Sequence, residues 1–186
     1  MTPGRLALRA TVGGFFVGHG TQKLFGWFGG HGLEATAKGF ESMGLRPGRH
    51  HATAAAVAET GGGALVAAGL ATPFAASVLT ATMLTAIHRV HLKNGPWSAN
   101  GGYEYNAVLI GAALTLAEVG PGSLSLDRKL GIEKTGGKWS LLALLAGIIG
   151  AAGAHAYAES QPAPAPPPEE RAAPATAPEA VEAPAA

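Results

Sequence analysis

The middle of the chain contains a long segment that is almost free of charge. Between Arg49 and Arg89 lie 39 residues, and Glu59 is the only Asp, Glu, Lys or Arg among them. A helix on the surface of a soluble protein carries polar residues along one face, so this segment cannot form such a helix. Pro73 favours a helix boundary near its middle, because proline lacks an N–H and restricts the residue before it. The segment therefore predicts two apolar helices joined by a tight turn.

Five membrane-spanning helices are predicted in all. Each of the two helices in the central segment would be about 27 Å long, close to the ~30 Å hydrocarbon core of a bilayer. A further stretch of 20 residues lacks charge entirely and has Trp139 and Tyr157 near its two ends, as in aromatic belts. The first apolar segment lacks a cleavage site and is interpreted as an uncleaved span. The predicted spans are 6–26, 53–71, 73–90, 103–119 and 139–158.

The composition agrees with a membrane protein and excludes several other classes. Charged residues make up 13% of the chain, about half of what soluble domains carry. A formal net charge of +1 offers no basic field for nucleic acid, so no nucleic-acid partner is expected. The absence of cysteine excludes disulfides, thiolate nucleophiles and iron–sulfur clusters. Any redox role would therefore need a bound cofactor or a partner protein.

Two alternatives to a helical membrane bundle are considered. Two further regions of the chain lie outside the predicted spans. A soluble helical bundle would have too few residues left to cover its apolar helices, and the sequence lacks the alternation of a transmembrane β-barrel. A short helix is predicted at 32–43 in the first loop. Residues 159–186, rich in Pro, Ala and Glu, are expected to be a disordered tail after a transmembrane domain at 1–158. The predicted fold class is an all-α transmembrane bundle, with a four-helix core and a fifth C-terminal span.

Small residues four positions apart are expected to pack the helices together. In a membrane, helices associate through close contact of small side chains. The pairs that meet this spacing are Gly14 with Gly18, Ala58 with Gly62, and Gly150 with Ala154. Packing within one bundle is favoured over a dedicated homodimer motif, and a homo-oligomer is left open.

Ionisable residues gather toward one side of the membrane, the side on which the first span ends, called side B. His19 lies seven residues before Gly26, and Glu59 lies six residues into the second span, so both sit about 9 to 11 Å below the same surface. Lys23 lies one turn above His19, and Glu104 opens the fourth span on the same side. Ionisable groups inside a bilayer usually face the bundle interior or a watery cavity. A polar pocket open to side B is therefore predicted, with Glu59 as its central acceptor.

Two readings of these residues compete. Lys23 and Glu104, like His88 at the end of the third span, lie near helix ends and could simply reach the membrane surface. A structural ion pair between Lys23 and Glu59 would also satisfy both groups without chemistry. His88 and His91 lie three apart but at the rim rather than at mid-depth, so no haem or metal site is expected.

Four short motifs in a fixed order resemble the DoxX family. Together they extend over about residues 5 to 130. They are His19-Gly20-X-X-Lys23-Leu24-Phe25-Gly26, Glu59-X-Gly61-Gly62-X-X-Leu65 with Gly69, Gly102-X-Glu104-Tyr105, and Gly120-Pro121-Gly122-X-X-Ser125-X-Asp127.

The resemblance implies a small multi-pass protein of the cell membrane. The family comprises bacterial and archaeal proteins, typically of four helices, some of them associated with quinone-linked oxidoreductase complexes. His19, Lys23, Glu59 and Glu104 match the family signature in position and are the candidate ligand-binding residues of the predicted pocket. By resemblance the candidate cofactor is a quinone, and the partners are the lipid bilayer and other subunits of a redox complex. The fifth span and the tail depart from the family pattern. A small-solute or proton pathway, or a scaffold without chemistry, is the alternative, and whether the protein is an enzyme stays open.

Overall fold

The computed structural model describes residues 3–162, and within that range the chain is helical and contains no β-strand. Five long helices and two short ones follow one another, with 3₁₀ turns in the loops between them. The helices are α1 (Pro3–Phe25), α2 (Gly32–Ser42), α3 (Gly48–Ala68), α4 (Thr72–Ala86), α5 (Glu104–Val119), α6 (Leu126–Lys129) and α7 (Gly137–Glu159).

A helix occupies each predicted position, with boundaries that differ from the prediction by up to five residues. The third helix begins five residues earlier than predicted, directly after Pro47, and ends at Gly69, whose φ of 64° is the left-handed conformation that closes many helices. The fourth helix continues past Ala86 as a π-helical turn over Ile87–His91, which restores the predicted length of this span. The short helix in the first loop is confirmed as α2. Of the predicted disordered tail at 159–186, Glu159 is the last residue of α7, and residues 163–186 lie outside the described residues.

Helix α4 lies at the centre of the bundle. It contacts α3 on one side and α5 and α7 on the other, while α1 packs along α3. The largest buried apolar cluster joins residues of α1, α3, α4 and α5, among them Phe16, Val66, Leu79 and Leu116. Helix α7, the predicted fifth span, is therefore part of the bundle through α4.

Glycine residues set the distance between α1 and α3, but not the pair that was predicted. Gly14 and Gly18 face away, and a Cβ added at either would meet no atom within 4 Å. At Gly13, by contrast, an added Cβ would lie 2.6 Å from the carbonyl oxygen of Gly63. The prediction for Gly14 and Gly18 is wrong because spacing alone does not tell which face of a helix meets its neighbour.

The other two predicted pairs lie at other contacts. Gly62 faces α4, where an added Cβ would lie 2.8 Å from Leu79 Cδ2. Gly150 faces α4 as well, with an added Cβ 3.1 Å from Ala81 Cβ, and Gly147 in the preceding turn meets Thr80. Close contact between α7 and α4 therefore rests on glycines that leave room for small side chains.

Among residues 3–162, one helix is long and apolar enough to cross a membrane, judged by its length and composition alone. It is α7, and only 22% of its apolar window is buried in the bundle. Helices α1 and α3 have 23 and 21 residues but are less apolar, and α4 and α5 have 15 and 16 residues. An all-helical fold is thus established, and the transmembrane assignment of the other four helices depends on further argument.

Candidate functional site

A cavity of about 860 Å³ lies at side B of the bundle, the end at which α1 ends and α3 begins. Residues of α1, α2, α3, α4, α5 and α7 line it together with the loop before α5. This volume is within the ~300–1,000 Å³ of typical ligand sites. Its walls are mostly apolar, with large contributions from Phe16, Phe40, Met43, Leu45, Val78, Met83 and Leu109. A few ionisable side chains interrupt these walls.

Lys23 and Glu59 form an ion pair on the wall between α1 and α3. Lys23 Nζ donates a hydrogen bond to Glu59 Oε2 at 2.5 Å. The Glu59 side chain is only 6% exposed, whereas that of Lys23 is 24% exposed. A buried carboxylate is costly unless it is paired, and here the partner comes from the neighbouring helix. The pair therefore places a charged, hydrogen-bonding group in an apolar wall.

His19 lines the same cavity from one turn away. Its imidazole Nδ1 is hydrogen-bonded to Gln22 Oε1 at 3.1 Å, and the residue is exposed. Its backbone carbonyl oxygen accepts a longer contact of 3.4 Å from Lys23 Nζ. Within residues 3–162, Glu59 receives its side-chain hydrogen bond from Lys23 and not from His19. His19 is thus beside the ion pair, at the open part of the cavity wall.

Glu104 stands apart from these three residues. It occupies the first turn of α5 and is half-buried, but it is not among the lining residues, although Gly102, Tyr105 and Asn106 are. Its backbone N–H donates to Pro96 O at 2.8 Å, which fixes the start of α5 against the preceding loop. The structure thus brings His19, Lys23 and Glu59 together and leaves Glu104 next to the cavity.

A second polar group on the cavity wall was not predicted from the sequence. Arg89, in the π turn after α4, lines the cavity and donates from Nε to His155 Nδ1 of α7 at 2.8 Å. The ring of His88 lies 4.4 Å from that of His155, centroid to centroid. His88 was predicted to lie at the rim, and Arg89 was recognised only as the end of the uncharged segment. The signal that could have found the contact is His155, the one histidine in the uncharged C-terminal span.

The opposite end of the bundle, side A, holds a buried polar network of a different kind. Arg9 donates to the carbonyl oxygens of Val66, Ala67, Pro121 and Leu124, at 2.7 to 3.1 Å. Val66 and Ala67 lie in the last turn of α3, where carbonyl oxygens lack the N–H partner that a continuing helix would supply. The network joins α1, α3 and the loop after α5 and lies outside the cavity.

The described residues hold no candidate metal centre. No three His, Cys, Asp or Glu side chains in 3–162 come together closely enough to hold a metal ion. The chemistry available in the cavity is therefore that of a buried ion pair, a second guanidinium and several imidazoles on apolar walls.

Comparison with known proteins gives one match. A sequence model of the DoxX family matches residues 4–92, which span α1 through the π turn after α4 and include His19, Lys23, Glu59 and Arg89. Glu104 and the motif that ends at Asp127 lie beyond the matched stretch. No curated protein and no solved structure matches the chain. Since the DoxX family is membrane-associated, the environment of this chain is a lipid bilayer. The match of residues 4–92 to a DoxX domain supports assignment of the chain to the DoxX family.

Proposed function

We propose that the chain crosses the cell membrane five times, through α1, α3, α4 with its π turn, α5 and α7. Residues 1–158 would form the membrane domain and 159–186 a tail outside the bilayer. Each of these helices leaves a large apolar side chain exposed: Phe15, Val57, Phe74, Val108 and Ile149. Apolar surface spread around all sides of a bundle is costly in water and favourable against lipid. Exposed aromatic residues at side B, including Trp27 and Trp97, are typical of a membrane interface.

We further propose that the cavity binds a quinone-like ligand and that the chain serves as a membrane subunit of a redox complex. The observation that supports this most is the buried Lys23–Glu59 pair in the wall of a large apolar cavity. A quinone combines an apolar body with carbonyl oxygens that accept hydrogen bonds, so apolar walls with one charged donor suit it. Lys23 would be that donor, held in position by Glu59.

The redox chemistry of such a complex would reside in the quinone and the partner subunits. The chain has no cysteine, so its own residues cannot form a disulfide pair or hold an iron–sulfur cluster. What its residues supply is binding and orientation. His19 would contact the ligand from the open part of the wall, and Glu104 remains a proposed ligand contact beside Tyr105 and Asn106.

Quinone binding by the purified protein tests this function. The full chain is extracted in mild detergent, its lipid fraction is analysed for quinones, and binding of a short-chain benzoquinone and a short-chain naphthoquinone is titrated. We expect a bound quinone, and an affinity that falls about tenfold in Lys23→Met and in Glu59→Gln, the loss of one charge-assisted hydrogen bond. Glu104→Gln in the same titration tests the fourth residue.

Controls separate a lost contact from a lost fold. Glu118→Gln changes an exposed carboxylate at the far end of α5 and should leave the affinity unchanged. Thermal unfolding of each variant shows whether the bundle persists. No quinone in the extract and no saturable binding by a folded protein would exclude the proposal. Proton flux into liposomes that depends on Glu59 would then favour the pathway alternative, and neither activity would favour a scaffold.

A further inference from the structure

Arg89 places a positive charge in the cavity, and no carboxylate among residues 3–162 lies within hydrogen-bond distance of it. Its side chain is only 16% exposed, and it lines the cavity from the π turn that follows α4. Such π turns interrupt α-helices most often at functional sites, because they redirect side chains. Guanidinium groups stay charged at any physiological pH. A buried guanidinium requires acceptors for its N–H groups and a counter-charge.

The acceptors that the protein supplies are incomplete. Arg89 Nε donates to His155 Nδ1 at 2.8 Å, and a ring nitrogen that accepts a hydrogen bond carries no proton, so His155 is neutral in this contact. Among residues 3–162 the buried Nη2 has no hydrogen-bond partner. The nearest carboxylate oxygen, Glu159 Oε1, lies 3.7 Å away on a side chain that is 72% exposed. An ion pair with so exposed a carboxylate contributes little to stability.

The other charges on the cavity wall do not balance Arg89. Lys23 is paired with Glu59, and among residues 3–162 Glu59 is the only acidic residue that lines the cavity. The remaining ionisable lining residues are His19, His51, His91 and Tyr105. The wall therefore has an excess of one positive charge, at Arg89.

We propose that Arg89 makes this cavity a binding site for an amphiphile with an acidic head group, a carboxylate or a phosphate. The head group would accept hydrogen bonds from Nη2 of Arg89 and supply its missing counter-charge, since guanidinium binds both groups in matched geometry. The apolar remainder would lie along Met43, Val78 and Met83. A free inorganic anion would gain nothing from such walls. The inference rests on the proposed use of the cavity as a ligand site and adds a second polar contact distinct from Lys23–Glu59.

Binding of matched acid and neutral amphiphiles to the wild-type protein tests this. The purified full chain in detergent is titrated with dodecanoate against its methyl ester, and with dodecyl phosphate against dodecanol. We expect at least one acid to bind about tenfold more tightly than its neutral counterpart, as a charge-assisted hydrogen bond to a buried group provides. The acid that gains more identifies whether the head group is a carboxylate or a phosphate. Inorganic phosphate alone, up to millimolar concentration, should not compete.

Variants then assign the preference to Arg89. Arg89→Gln should abolish the difference between acid and neutral ligand, and Arg89→Lys should retain most of it. Arg128→Gln removes an exposed arginine at the opposite end of the bundle and serves as the matched control. Equal binding of acid and neutral ligands by the wild type, or an acid preference that survives in a folded Arg89→Gln protein, would overturn the inference.

The outcome is separable from that of the proposed function. A wild-type protein that prefers acids but binds no quinone would support the Arg89 site and exclude the quinone site. Quinone binding without any acid preference would give the reverse result. Since both comparisons use the wild-type chain, neither depends on the folding of a variant.

Discussion

Lys23 and Glu59 join α1 to α3 through a 2.5 Å contact in which the two partners are unequally buried. The glutamate is almost completely enclosed, while a quarter of the lysine side chain reaches solvent. Removal of one partner leaves the other charge unpaired. The resulting loss of stability depends on how deeply that remaining charge is buried. The pair should therefore respond differently to the removal of each member.

We predict that Lys23→Met destabilises the protein more than Glu59→Gln does. The first variant leaves a buried carboxylate without a partner, which typically costs about 3 kcal/mol, whereas the second leaves a lysine that can turn toward water. Thermal unfolding of the purified variants in one detergent measures the order. The double variant Lys23→Met with Glu59→Gln should recover much of the loss, because no unpaired charge remains. Equal destabilisation by the two single variants would contradict this account of the pair.

The helices could be predicted from the sequence because the features that form and end a helix act locally along the chain. Runs without charge, the proline at residue 73 and the glycine at residue 69 act on their own neighbourhood, so the helix boundaries followed within a few residues. Counting turns from the helix ends also placed His19 and Glu59 at the same depth and Lys23 one turn nearer the surface, since rise per residue is constant. In the structure it is Lys23, reaching across from α1, that contacts Glu59.

Contacts that depend on helix rotation and neighbour identity could not be predicted in this way. Gly13 rather than Gly14 meets α3, a difference of one position that turns the face by about 100°. Arg89 and His155 are 66 residues apart, and only the placement of α7 against α4 brings them together. The spacing of residues within either helix does not indicate that contact.

Gly13 and Gly14 offer a test of the α1–α3 contact with neighbouring positions. Gly13→Ala should destabilise the protein by about 1–3 kcal/mol, the usual effect of an added methyl group in a tight contact, because its Cβ would meet backbone atoms of α3. Gly14→Ala has open space around it and should be neutral or slightly stabilising, since alanine favours helix. The unfolding temperatures of the two variants show which of the two glycines faces α3. A larger loss at Gly14 would mean that α1 is rotated from the position described.

Truncation tests the role of the C-terminal segment. From residue 163 onward the sequence is mostly Pro, Ala and Glu and lacks aromatic residues, a composition that offers little apolar surface for burial. We expect a chain that ends at Pro162 to accumulate in the membrane and to unfold at the same temperature as the full chain. A strong fall in membrane accumulation would identify the segment as an assembly element.

The orientation of the chain in the membrane is predicted from the loop between α5 and α7. This loop and the first turn of α7 contain four basic residues, Arg128, Lys129, Lys134 and Lys138, and concentrated positive charge favours the cytoplasmic side. Five crossings then place the N-terminus inside and residue 186 outside. A reporter that functions only in the cytoplasm should be inactive when fused after Ala186 and active when fused after Gly136. The reverse pattern would invert the topology.

Asp127 ties the far end of the bundle together and should be important for stability. Its carboxylate is 1% exposed, and it accepts hydrogen bonds from the backbone N–H of Ala71 at 2.7 Å and from the N–H and hydroxyl of Thr72 at 3.0 and 2.8 Å. It therefore caps the start of α4 from the short helix α6 and holds Ala71 at its φ of 48°, a conformation that alanine rarely adopts. Asp127→Ala leaves these donors buried without an acceptor, and we expect a loss of about 3 kcal/mol in the free energy of unfolding. Glu118→Ala, an exposed carboxylate at the same end, should change it by less than about 0.5 kcal/mol. Chemical unfolding of both variants measures the difference, and similar values for the two would show that the Asp127 cap contributes nothing beyond an ordinary surface charge.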